Sequence, residues 1–95
     1  MTDFGPGIEA PRRLSGAPPD YTEMARRVRA GGVVVVEAII DRDGRVVEAR
    51  ALQGLPWGLT ESALRAVEGW RFAPARRHGR PLAVRYQLTV VFELH

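Results

Sequence analysis

The carboxy-terminal segment of this chain, Leu82 to Leu94, alternates almost without interruption. Leu82, Val84, Tyr86, Leu88, Val90, Phe92 and Leu94 fall on one side; Ala83, Arg85, Gln87, Thr89, Val91 and Glu93 fall on the other. A period of two predicts a β-strand with one buried face. At about 3.3 Å per residue the segment spans roughly 43 Å, about twice the length of a usual strand of 5–6 residues. In a chain of 95 residues such a strand outruns its own sheet, leaving main-chain donors and acceptors unpaired along part of an edge. Open edges are either protected or used to bind another strand. Alternation alone leaves both readings standing, because the strand can also curl over the helices with its edge hidden by the amino-terminal residues.

The remaining residues suit one small domain with a single core. With 45% hydrophobic and 26% charged residues of both signs, the chain is not disordered as a whole. No cysteine is present, so neither disulfides nor thiolate metal sites arise. The net charge is +3 and every basic side chain is arginine. That charge permits nucleic-acid contact, but the arginines are interleaved with carboxylates and no aromatic residues are spaced among them to stack on bases. The only local groups are Arg26, Arg27, Arg29 and Arg76, Arg77, Arg80. These solvate their own surroundings or, on a sharper reading, the second group attracts an acidic partner segment. The longest apolar run, Val33 to Ile40, is interrupted by Glu37 and falls far short of the ~20 residues of a membrane span. The first residues lack the pattern of a signal peptide.

Residues 1–19, rich in proline and glycine, read as a linker or arm, and residues 20–95 as the domain. Asp20 is the expected N-cap of a helix over residues 21–30, stopped by Gly31-Gly32. Val33 to Ile40 and Arg45 to Leu52 form a β-hairpin around Asp41-Arg42-Asp43-Gly44, with Ala49 and Ala51 leaving space for a helix. Thr60 is the expected cap of a second helix running to about Trp70. That helix places Leu59, Ala63, Val67 and Trp70 on one face and pairs Glu61 with Arg65. Arg77-His78-Gly79-Arg80-Pro81 is a turn into the last strand. The order α-β-β-α-β predicts an α+β fold: a three-stranded antiparallel sheet packed on two helices.

Asp41 and Asp43 are explained by their turn, Ser15 and Ser62 have no partnered base, and nothing points to an enzyme or a cofactor. His78 and His95 would need to converge with carboxylates to hold a metal, and no metal site is expected. Trp70 and Tyr86, each a candidate pocket residue, read as core by their spacing.

The residues just given resemble the carboxy-terminal domain family of TonB, the energy transducer of Gram-negative envelopes. The match begins with Tyr21 and Ala25-Arg26, then Gly32 before Val34-x-Val36, and Ile40-Asp41 into Asp43-Gly44-Arg45-Val46. It continues through Leu59, Ala63, Leu64 and Ala66, and its most specific part is Trp70-Arg71-Phe72-x-Pro74-Ala75. Gly79-x-Pro81 and Val90-x-Phe92 complete it, over roughly Pro11 to Leu94. The family has Tyr-Pro where this chain has Tyr21-Thr22, a departure expected to loosen the first helix.

The resemblance implies a periplasmic domain, within an inner-membrane-anchored protein, that grips the TonB box of outer-membrane transporters by pairing it with the last strand. Motor proteins of the inner membrane, reached through an anchor outside this sequence, then supply force. Carried over, the binding edge is Gln87, Leu88, Thr89, Val90, Val91, Phe92 and Glu93, with Asp20 and Tyr21 near the partner. Val34, Val36, Ile40, Leu64, Val67, Trp70, Phe72, Leu88, Val90 and Phe92 read as packing. The chain itself reads as a piece excised from a longer protein. The alternative expectation is an adaptor or assembly domain that pairs with a second copy, as a strand-paired homodimer, or with another envelope protein, without energy transduction.

Overall fold

The computed structural model describes residues 2–3 and 7–94. In chain order these form β1 (Thr2–Asp3), β2 (Ile8–Glu9), β3 (Arg12–Ser15), α1 (Glu23–Arg27), β4 (Gly32–Ile40), β5 (Val46–Gln53) and α2 (Leu59–Glu68). They continue as β6 (Arg71–Ala73), β7 (Ala75–Arg77), β8 (Arg80–Leu82) and β9 (Val84–Phe92). The fold is α+β as expected, with β4 antiparallel to both β5 and β9 and two helices. The main sheet also gains a two-residue fourth strand, giving the order β1-β9-β4-β5. Smaller sheets, β2-β7-β8 and β3-β6, flank it. Three of these short strands, β1, β2 and β3, lie within the proline- and glycine-rich arm. His95 and the residues Phe4, Gly5 and Pro6 lie outside the described residues.

The β4–β5 hairpin closes through an aspartate-centred turn, in which one Asp41 carboxylate oxygen accepts from the main-chain N–H groups of Asp43 and Arg45, each at 2.9 Å. Gly44 follows with φ +83° and its carbonyl accepts from Phe72 N–H at 2.9 Å. A Cβ there would lie 1.8 Å from the Phe72 carbonyl oxygen. Glycine therefore lets the turn touch β6, locking the hairpin to the chain that follows α2.

One sheet face packs on α2, which lies over β5 and β4, where Ala49 and Ala51 admit it. Val34, Val36, Ala38 and Ile40 of β4, Leu59, Ala63 and Val67 of α2, and Val84, Val90 and Phe92 of β9 are buried together. Trp70 and Phe72 join them, so the tryptophan is core as its spacing indicates. Its indole N–H donates to the Ala17 carbonyl at 2.8 Å. Leu64 and Leu88 are half-buried at the margin of this core. On the opposite face, Glu37 accepts from Arg50 of β5 at 3.0 Å and lies 3.7 Å from Arg85 of β9, clasping three strands. Among the described residues no helix is long and apolar enough to cross a membrane.

Several local expectations are corrected. The long alternating segment is two strands in series, because β8 pairs with β7 and β9 pairs with β4, with Ala83 between them. Helix α1 is capped by Thr22, whose hydroxyl accepts from Ala25 N–H at 3.2 Å, and not by Asp20. It ends before Gly31, through Arg29 at φ 55° and bonds from Arg29 N–H to Arg26 and from Ala30 N–H to Ala25. Gly58, at φ 80°, caps α2, while the Thr60 hydroxyl bonds both main-chain polar groups of Leu55 and braces the preceding loop. The expected Glu61–Arg65 pair does not form; the helical ion pair is Glu23–Arg27 at 2.7 Å, exposed on α1.

Candidate functional site

Strand β9 exists because β-branched and aromatic residues alternate with polar ones, and it lies in the sheet because its apolar side completes the core. Its pairing is unequal on the two flanks. On one, all nine residues match β4, from Val84 opposite Ile40 to Phe92 opposite Gly32. On the other, β1 runs parallel and, among the described residues, pairs with Val84 and Arg85. From Gln87 to Phe92 no strand occupies that flank among the described residues. Since N–H and C=O groups alternate in direction along a strand, about half of those in this segment point away from β4.

Six of the seven edge residues expected from the sequence lie in β9, and Glu93 follows it, exposed. Gln87, Thr89 and Val91 project from the sheet face that no helix covers and are exposed, Val91 by 58%. Leu88, Val90 and Phe92 face the helices, with Leu88 only half-buried. Tyr86 also faces inward, its ring edge-on to Phe72 at 6.2 Å.

The far end of the edge is built from α1. The Tyr21 ring meets Phe92 edge-on, with centroids 5.6 Å apart, and its hydroxyl donates to the Ala30 carbonyl. Tyr21 thus serves first as a brace joining the two ends of the α1 segment to β9. Asp20 is exposed, and its carbonyl accepts from the buried Ser62 hydroxyl, holding the arm against α2. The Thr22 hydroxyl also donates to the Trp57 carbonyl at 2.6 Å. The hydroxyl therefore joins α1 to the loop before α2, which proline cannot do.

Two features were not read from the sequence. Trp57 holds φ 67° while 45% exposed, a conformation that its neighbour Gly58 disguised as ordinary turn chemistry. The β1 pairing was also missed, because two residues carry no periodicity. Among the described residues no group of three or more histidine or acidic side chains converges to hold a metal.

A family model described as the Gram-negative bacterial TonB protein C-terminal matches residues 17–94. The chain is similar to protein TonB of Vibrio cholerae serotype O1, with 31% identity over 80% of this chain and 32% of the relative. It is also similar to protein TonB of Yersinia enterocolitica, with 33% identity over 94% of this chain and 34% of the relative. The chain therefore spans about a third of the length of these curated relatives. The solution NMR structure of the Pseudomonas aeruginosa TonB CTD superposes with a TM-score of 0.70 at 27% identity, covering 100% of this chain and 95% of that one.

Proposed function

From the premise that this chain belongs to the family of C-terminal domains of Gram-negative TonB proteins, we propose that it is the periplasmic interaction domain of a TonB-like energy transducer. It takes the TonB box of an outer-membrane transporter as an added strand along Gln87 to Glu93 and passes on a pull generated by inner-membrane motor proteins. The domain binds and does not catalyse. The observation that carries this reading is the unequal pairing of β9: all nine residues match β4, whereas from Gln87 to Phe92 the other flank carries no strand among the described residues.

The energetics limit what the backbone alone can achieve. Pairing the part of this edge that lies in β9, Gln87 to Phe92, forms about six hydrogen bonds, each worth about 0.5–1.5 kcal/mol net. Ordering six residues of a free peptide costs about 1–2 kcal/mol each. The ordering cost equals or exceeds the hydrogen-bond gain, so affinity depends on side chains and on the prior order of β9. On the helix side a guest residue would shield half-buried Leu88; on the other face it would meet Gln87, Thr89 and Val91.

A backbone amide titration with a TonB-box peptide tests this. The first resonances to move should be those of Gln87 to Glu93, with Asp20 and Tyr21 following. Movement confined to the arginine turn, with the strand silent, would sink the reading. The same vacant flank supports the second reading, an assembly domain in which β9 pairs with a second copy. Sedimentation across a concentration series separates them: a tight dimer that excludes peptide favours assembly, and a monomer that binds peptide favours transduction.

A further inference from the structure

Folding sorts positive charge to one end of this molecule. Residues 8–15, 41–45 and 71–82 hold eight of the fourteen arginines but only three of the eleven carboxylates, a net of +5. The rest of the chain therefore carries −2 within the whole-chain +3. These three segments meet in space: β3 lies along β6, β2 and β8 flank β7, and Arg45 of the β4–β5 turn bridges to Arg71. Two like-charged pairs result. Arg45 and Arg71 stand directly across their bridge, and Phe72 N–H bonds the Gly44 carbonyl beside them, the arrangement in which opposed side chains come closest. Arg77 stands opposite Arg80 and closes the β7–β8 hairpin. Like charges directly across strands are destabilising. All eight arginines are exposed, and among the described residues no carboxylate lies within ion-pair distance of any of them. At the other end of β4, by contrast, Arg27 is paired with Glu23.

Such an end calls for an anionic partner, and the apolar groups among the arginines narrow its chemistry. Leu14 follows Arg12 and Arg13 on β3 and is 60% exposed. A cleft of about 520 Å³ sets Arg77, His78 and Arg80 beside Pro81 and Leu82. Trp70 and Phe72 are buried, and among the described residues no exposed aromatic ring stands here to stack on a base, as a single-stranded nucleic acid would require. Guanidinium groups suit phosphate, and a phospholipid surface offers phosphates with an apolar layer directly beneath them. We propose that this arginine-rich end docks on the anionic phospholipid headgroups of a bilayer, with Leu14 entering the interface. Strand β9 starts at this end, where Val84 faces Ile40, and runs away from it to Phe92. The docking surface is therefore separate from the Gln87–Phe92 edge and does not depend on strand addition.

Vesicle flotation with the intact 95-residue chain tests this. The protein should float with vesicles of mixed phosphatidylglycerol and phosphatidylcholine but not with phosphatidylcholine alone, and should come off toward about 0.5 M salt. An arginine at an anionic bilayer contributes roughly fivefold in affinity. Arg77→Gln/Arg80→Gln should therefore weaken binding by about 25-fold, and Arg45→Gln/Arg71→Gln should repeat that loss through an independent pair. Arg26→Gln/Arg29→Gln, which removes the same charge near the other end of β4, should change it by less than about threefold. Leu14→Ser should weaken it about fivefold. Thermal midpoints are checked so that each loss is read on folded protein. Equal losses in all three arginine pairs would reduce the effect to net charge and overturn the proposal. Unchanged binding by Leu14→Ser, or release by inorganic phosphate at matched ionic strength, would overturn the bilayer assignment. Tighter binding to a DNA oligonucleotide or to a polyglutamate peptide than to the vesicles would overturn it in favour of a polyanion or an acidic protein. None of these outcomes bears on the peptide titration of Gln87 to Glu93, so strand addition stands or falls separately.

Discussion

Gly44 and Arg29 both hold the left-handed backbone conformation, and their surroundings make opposite demands. Gly44 is pressed against the Phe72 carbonyl, whereas Arg29 is exposed beyond the end of α1. Gly44→Ala should cost about 1–2 kcal/mol for the conformation and a further 1–3 kcal/mol, roughly, for overpacking. A denaturant titration would show this as a large drop in midpoint with the slope preserved. Arg29→Gly should stabilise by about 0.5–1 kcal/mol, because the position favours glycine. A midpoint that falls instead would mean that the arginine side chain makes a contribution larger than its backbone strain.

Strand β9 carries the functional argument at the level of the element. In an antiparallel pair, residues alternate between bonding the partner and facing away from it. Amide exchange across Gln87 to Phe92 should therefore alternate between slow and fast in the free protein. Saturation with a strand-forming peptide should slow the fast set by at least about tenfold and leave the slow set nearly unchanged. Uniform protection before any peptide is added would mean that both flanks are already paired, and the binding reading would fail. The broken alternation at Ala83 belongs to the same scale. A periodic pattern reports which side of a strand is buried, but not which neighbour it pairs with, so two strands with different partners read as one.

Across the whole molecule, the arm is the part whose role depends most on distant contacts. Its β3 lies along β6, the Arg13 guanidinium sits 4.4 Å from the centroid of the Trp70 ring, and Ala17 receives the indole hydrogen bond. A Cβ on Gly16 would fall 2.1 Å from that ring, so the arm follows the tryptophan closely. Removing residues 1–16 should shift Trp70 emission to the red and lower stability by about 1–3 kcal/mol, from lost apolar cover and the cation–π contact. Unchanged emission and midpoint would show the arm to be dispensable, and residues 20–95 to be a self-sufficient domain.

Spacing within the chain was enough for the α+β class, the Asp-Gly hairpin, the buried face of α2, the core position of Trp70 and the inward side of β9. Each of these follows from periodicities of two or 3.6, or from one turn, and such patterns act over a few residues. The start of α1, the brace role of Thr60, the three strands of the arm and the partners taken by each half of the terminal segment came from the folded chain. They depend on which backbone groups meet across long separations, as when Thr22 reaches Trp57 or Phe72 reaches Gly44. The flank of β9 that stays unpaired among the described residues from Gln87 to Phe92 has the same origin: whether an edge stays open is set by where every other strand goes, and no local repeat carries that information.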